Sequence, residues 1–145
     1  MRLTIIAFFA LLFGMNTAIA DGHDKANAFG FALNVPAEHI AEVEAVLASH
    51  MKFMQSTHSV TGDASTRLNS YSVIKGPVLV DPTDPSKGTT GGMMYILSEH
   101  YETPAGFAKH MKASTGWSDL PKMQEMMMKF GVGAVYPVFH MQSMN

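Results

Sequence analysis

Alternation of bulky residues with small or polar ones predicts four β-strands in this chain. In 28–35 the bulky residues all fall on one side of the period-two pattern, and they are Phe29, Phe31, Leu33 and Val35. Three later stretches are also predicted to be strands: 68–75, 93–101 and 132–142. The proline- and glycine-rich residues 77–92 predict a long connection that can act as a mobile flap.

Apolar residues spaced three or four positions apart predict helices between these strands. The first helix, in 37–57, has the apolar stripe Ile40, Val43, Leu47, Met51 and Met54. The second runs to about Ser114, because Thr103 can cap it and Pro104 suits its first position. A third helix containing "LPKMQEMMMKF" is predicted after Ser118.

The predicted order of elements, β-α-β-β-α-α-β, indicates an α+β fold of the ferredoxin-like type. Its four-stranded antiparallel sheet carries the helices on one face. We expect the other face to carry Tyr, Met and Phe, which is too apolar to remain exposed. Burial against a second copy would cover that face, so the sequence predicts a homodimer.

The first 20 residues have the features of a secretory signal. A basic start precedes an apolar run at 3–13, and the small-x-small triplet Ala18-Ile19-Ala20 predicts cleavage after Ala20. Residues 21–27 form a polar leader, and 28–145 are predicted to form a single domain. The apolar run is too short to span a membrane, so we expect an exported soluble protein of about 125 residues. It would be periplasmic or secreted, and the periplasm is favoured.

Charge and cysteine content narrow the classes of function. The formal net charge of −2 becomes −3 when the signal and its single arginine are removed. With no basic patch, the chain is not expected to bind nucleic acid or an anionic membrane. The absence of cysteine excludes disulfides, cysteine-ligated zinc and cysteine nucleophiles.

The junction of the third strand and the second predicted helix resembles the antibiotic biosynthesis monooxygenase (ABM) domain. The strand ends in "YILSEHYE" and the helix begins "TPAGFAKHM". Members of this family typically have an acidic residue, an aromatic residue two positions on, and then a helix with an A-F-x-x-H pattern. The matching residues here are Glu99, Tyr101, Phe107 and His110. The opening "FALNVPAEHIAEVEAVL" also resembles the family's strand–turn–helix start, and the resemblance covers most of 28–142.

This resemblance implies a dimeric α/β barrel with a pocket in each subunit. Some members oxygenate phenols or quinols without a cofactor, and relatives degrade heme. Asn34 matches the first-strand asparagine of the heme-degrading branch. Trp117, however, lies downstream of His110 rather than upstream, so the triad of that branch is not reproduced.

Oxygenation without a cofactor requires a base, a dry pocket and stabilisation of the substrate anion. A histidine titrates near neutral pH, so His110 is the leading candidate base. Glu99 and Asn34 complete the predicted catalytic set. A small aromatic or apolar ligand would lie between the sheet and the helices. The aromatic residues predicted to line that pocket are Tyr71, Tyr95, Tyr101, Trp117 and Tyr136.

Each of these residues also has a purely structural interpretation. Glu99 could pair with a lysine on a neighbouring strand, and the tyrosines could pack with their hydroxyls in water. His110 could simply flank a buried stripe on its helix, near the C-terminus, where the helix dipole favours a histidine. The residues of that predicted stripe are Phe107, Met111 and Ser114.

The alternative function is non-enzymatic binding of copper or heme. The chain has thirteen methionines and seven histidines, and imidazole and thioether groups suit Cu(I). His50, Met54 and His140 are the candidate metal ligands. Against this, methionine commonly fills cores, and the neighbouring side chains of a His-Met pair point in different directions.

Overall fold

Four strands form one antiparallel sheet in the computed structural model, which describes residues 27–59 and 66–135. The strands are β1 Ala28–Val35, β2 Leu68–Leu79, β3 Thr89–Tyr101 and β4 Gly131–Val135. Their order across the sheet is β2-β3-β1-β4. The predicted signal at 1–20 and nearly all of the leader lie outside the described residues.

Three α-helices cover one face of this sheet. They are α1 Ile40–Thr57, α2 Pro104–Ser114 and α3 Leu120–Phe130. The predicted start of α2 is confirmed, since the Thr103 hydroxyl accepts the backbone N–H of Gly106 at 3.1 Å. The described part of the chain is therefore α+β, and its strand order is compatible with a ferredoxin-like fold. Within it, no helix is both long enough and apolar enough to cross a membrane.

The predicted long connection at 77–92 is wrong at both of its ends, where residues 77–79 and 89–92 belong to strands. Strand β2 continues to Leu79 and β3 begins at Thr89, so the two form a long hairpin with a short tip. Pro77 lies within β2. Because β2 is at the edge of the sheet, its proline can lack a backbone N–H without breaking an interior ladder.

The buried stripes of α1 and α2 differ from the predicted ones in the same way. Met51 is 42% exposed, whereas His50 beside it is buried. On α2, His110 is buried and Met111 only partly so. In both helices the buried residue lies three positions after a buried apolar residue, not four: His50 follows Leu47, and His110 follows Phe107. The more hydrophobic methionine led the prediction to the wrong neighbour.

The helix-covered face of β3 includes four buried residues, Tyr95, Leu97, Glu99 and Tyr101. Among the described residues, the open face of the sheet carries Met94 of the expected Tyr, Met and Phe set. Its large apolar residues include Ile74 and Ile96, which pair across β2 and β3 and are 60% and 43% exposed. Small residues and serines occupy much of the rest, such as Ala32 on β1 and Ser98 on β3.

Strand β4 follows α3 without a loop. A Cβ atom at Gly131 would lie 2.3 Å from the carbonyl oxygen of Met127, so the change from helix to strand requires glycine here. The predicted strand 132–142 is described as far as Val135, and its remainder lies outside the described residues.

Candidate metal centre

Three titratable side chains from three different elements meet between the sheet and the helices. They are His50 of α1, Glu99 of β3 and His110 of α2. Their relative exposures are 5%, 1% and 6%. One nitrogen or oxygen donor from each lies within 4.8 Å of the other two. We call this group the His–Glu cluster.

Local structure explains why these side chains converge. His50 lies three residues after Leu47 on the inward face of α1, and His110 lies three residues after Phe107 on that of α2. Glu99 alternates with buried neighbours on the helix-covered face of β3. Because both helices cover that face, the two imidazoles are directed at the carboxylate from above.

The spacing within the His–Glu cluster is too long for direct hydrogen bonds. His50 Nε2 lies 3.6 Å from Glu99 Oε1, and His110 Nε2 lies 3.6 Å from Glu99 Oε2. A tetrahedral ion with ligands at 2.0–2.1 Å would separate them by roughly 3.3–3.4 Å. The observed distances therefore suit an ion held between the groups better than direct contacts.

Burial controls the charge of all three groups. It lowers the pKa of His50 to about 4 and that of His110 to about 3, and repulsion from neighbouring histidines adds to both effects. Burial also raises the pKa of Glu99 to about 7, against the opposing hydrogen bond from Tyr101. At neutral pH the imidazoles are uncharged, so these contacts are not ion pairs. Neutral imidazole is the form that binds a metal.

Each member of the His–Glu cluster has a further hydrogen-bond partner. The Tyr101 hydroxyl donates to Glu99 Oε2 at 2.5 Å. His50 Nδ1 lies 3.0 Å from the Tyr71 hydroxyl, and His110 Nδ1 lies 3.2 Å from Nε2 of His58. In both histidines the partner is on the nitrogen that faces away from Glu99. Partners in this position are typical of metal-binding histidines, whose rings they orient.

Aromatic rings enclose the His–Glu cluster. The Trp117 ring lies 5.1 Å from that of His50 and stacks on Phe53 at 5.6 Å with an interplanar angle of 20°. The indole N–H donates to the Ser49 hydroxyl at 3.3 Å, and Ser49 donates to Asp119 at 2.6 Å. Trp117 therefore covers His50 while its indole N–H is hydrogen-bonded to the side chain of Ser49 on α1.

The structure brings six of the predicted site residues together. They are the three members of the His–Glu cluster with Tyr71, Tyr101 and Trp117. Asn34 is exposed on the opposite face of the sheet. Met54 is buried in an apolar group that includes Leu68 and Phe107. Tyr136 and His140 lie outside the described residues.

Tyr95 belongs to a different place on the molecule. Its hydroxyl donates to Glu44 at 2.8 Å, and Lys75 donates to the same carboxylate oxygen at 2.7 Å. These residues line a shallow depression of about 220 Å³ together with Leu47 and Val73. The predicted pocket residues are thus divided between this depression and the His–Glu cluster.

Two features of the site were missed from the sequence. The convergence of Glu99 with two histidines was not predicted: Glu99 was assigned to the catalytic set with a lysine pair as its structural alternative, whereas in the structure it lies beside both His50 and His110. His58 was not among the predicted site residues, although it contacts His110 directly. Its signal was weak, because it is simply the residue that follows the last turn of α1.

Comparison of the chain with protein-family models, curated proteins and solved structures gave no match. The ABM resemblance therefore stays a prediction based on short motifs.

Proposed function

We propose that this protein binds one divalent transition-metal ion between His50, Glu99 and His110. The observation that supports this most strongly is the pair of 3.6 Å nitrogen–oxygen distances in a buried site. Each of the three groups has a hydrogen-bond partner of its own, and the atoms that face one another across these two distances lie close to the spacing expected for ligands of one ion. An ion would take lone pairs from both imidazoles and from the carboxylate.

The chemistry of the donors favours some metals over others. Two imidazoles and a carboxylate suit Zn²⁺, Fe²⁺ or Cu²⁺, whereas Cu(I) favours thiolate and thioether ligands. The chain has no cysteine, and Met54 packs in an apolar group. Copper binding thus remains a candidate in its divalent form, with Glu99 rather than a thioether as the third ligand.

The surroundings favour holding an ion over holding a large cofactor. Phe53 and Trp117 would have to separate to admit a planar macrocycle beside His50. An ion needs only small adjustments of three side chains. Its ligands would then join α1, α2 and β3, so binding would also stabilise the fold.

Metal analysis tests this proposal directly. Chelator-treated protein should rebind one Zn²⁺ per chain in equilibrium dialysis, and His50→Ala or His110→Ala should weaken binding at least tenfold. His39→Ala is the matched control, because His39 contacts Glu42 at 3.1 Å on the surface. Substitution of Co²⁺ would report the coordination number by visible absorption. Wild-type affinity in His110→Ala would refute the proposal.

Oxygenation of a phenol or quinol is the second candidate, supported by the contact between His110 and Glu99. The Trp117 ring lies 5.1 Å from that of His50, so a substrate entering on that side would have to displace it. Oxygen uptake with hydroquinone in the presence of EDTA should then be measurable and should fall in His110→Ala. Uptake that requires added metal would instead assign the activity to a metal centre.

Assembly and location are further proposals. A second copy packed on the open sheet face would form the dimeric α/β barrel that the ABM resemblance implies. The apolar pair Ile74 and Ile96 on that face supports such packing. Export is supported by residues 1–20 of the sequence, and a mature protein beginning at Asp21 in mass spectrometry would test it.

A further inference from the structure

We infer that His58 is a positioning residue that holds His110 in its Nδ1–H tautomer and so directs the bare Nε2 atom at Glu99. The tautomer itself can be established without any metal. Its consequence for metal affinity rests on the proposed function.

The hydrogen-bond chain begins at Thr57. Its hydroxyl lies 2.7 Å from the backbone carbonyl of Phe53, which can only accept. A hydroxyl has one hydrogen, so that hydrogen is already used. The same oxygen lies 2.7 Å from His58 Nδ1, and it must therefore accept there. His58 consequently carries its hydrogen on Nδ1.

The direction of donation then continues to His110. At pH 8, well above the ordinary imidazole pKa of about 6.5, the His58 ring is neutral. A neutral ring with Nδ1–H has a bare Nε2. That atom lies 3.2 Å from His110 Nδ1, which must donate to it. His110 is thereby left with a lone pair on Nε2.

The position of His58 makes this arrangement rigid. Its backbone N–H donates to the carbonyl of Met54 at 2.9 Å and ends α1. Its ring packs at 5.1 Å from the ring of His110 and at 6.0 Å from that of Tyr101. The acceptor for His110 is thus set by the end of a helix before any ligand arrives.

The alternative tautomer would obstruct the site. If His110 carried its hydrogen on Nε2, that hydrogen would point toward Glu99 Oε2 and occupy the atom that a metal needs. Metal ligation requires a free nitrogen lone pair, and the hydrogen bond on the other nitrogen decides which tautomer is present. His58 would therefore act on the site without touching the ion.

Long-range ¹H–¹⁵N NMR spectra of the metal-free full chain test the inference. They distinguish the tautomers of a histidine ring, and wild-type His110 should be Nδ1–H. His58→Leu removes the acceptor and should shift His110 toward Nε2–H. The matched variant His58→Gln keeps a side-chain carbonyl at similar reach and should retain the Nδ1–H form.

Zinc binding to the same variants separates this inference from the proposed function. His58→Leu should weaken Zn²⁺ binding about 10- to 100-fold, and His58→Gln should stay near the wild type. A wild-type Nε2–H tautomer would overturn the inference, and this measurement needs no variant to fold. An unchanged tautomer in folded His58→Leu would also overturn it. If the His110 tautomer changes in His58→Leu but the protein never binds zinc, the inference is supported and the metal proposal is refuted.

Discussion

Replacing Glu99 by glutamine should make the metal-free protein more stable at alkaline pH and change its stability much less at pH 5. Burial raises the folded-state pKa of Glu99 from 4.5 to about 7. A group whose pKa is raised by folding contributes its full stability when the pH is below its unfolded-state pKa. That contribution is lost as the pH rises through its folded-state pKa. Glutamine has a similar shape but cannot ionise, so the loss should disappear.

The size of the effect follows from the same two pKa values. The difference between 4.5 and about 7 corresponds to about 3 kcal/mol, at roughly 1.4 kcal/mol per pKa unit. Above about pH 8 the wild type therefore carries most of this penalty in its folded state. A domain of this size should show a rise in Tm of roughly 10 °C in the variant.

The assay is urea unfolding of chelator-treated wild type and Glu99→Gln at pH 5 and pH 8.5. Histidine contributions are largely shared by the two proteins, so the change in their difference between the two pH values isolates Glu99. Glu125→Gln on the exposed face of α3 is the matched control and should show no such change. A stability difference that is the same at both pH values would refute the reasoning.

Three further outcomes are expected. The metal-free Glu99→Gln variant should be most stable above pH 6.5 and lose stability as the pH falls toward 4. The reason is that the folded-state pKa values of His50 and His110 are lowered to about 4 and 3. An unchanged Tm at pH 5 would contradict this. Gly131→Ala should lower the free energy of unfolding by about 1–3 kcal/mol in a urea titration, because the alanine Cβ would clash with a helix carbonyl. Gly133→Ala is the control and should be nearly neutral, because the space around Gly133 is open. Ile96→Lys on the open sheet face should convert a dimer to a monomer in sedimentation without loss of helical circular dichroism, and a monomeric wild type would exclude the dimer.

The parts of the fold that depend on local chemistry were predictable. Thr103 and Pro104 specify the start of α2 within three residues, and the structure confirms it. The β2–β3 hairpin was not predictable in the same way, because proline and glycine suggested a loop. Pro77 is acceptable in β2 only because that strand lies at the edge of the sheet, which is a property of the whole fold.

The site was only partly predictable for a related reason. His110 and Glu99 were named from a motif, but their meeting with His50 depends on which face of the sheet the helices cover. Helical periodicity also leaves a choice between positions three and four residues apart. Hydrophobicity favoured Met51 at that choice, whereas the structure places His50 inward because Phe53 and Met54 continue the same face.

The His–Glu cluster weakens the metal-free fold on both sides of neutrality. Its imidazoles oppose folding below pH 6.5, and its carboxylate opposes folding increasingly from about pH 4.5 and fully above about pH 7. Apolar side chains of similar size would avoid both penalties. The site is therefore difficult to explain as packing alone.

A bound ion would offset this loss by an amount of the right size. Zinc at about a hundred times its Kd stabilises a folded protein by about 2.7 kcal/mol, which is close to the penalty of about 3 kcal/mol expected for Glu99. Added Zn²⁺ should therefore raise the Tm of the wild type at pH 8 by several degrees and raise that of Glu99→Gln much less. An equal rise in both proteins would place the ion elsewhere, because only the wild type has a carboxylate between His50 and His110 to receive it.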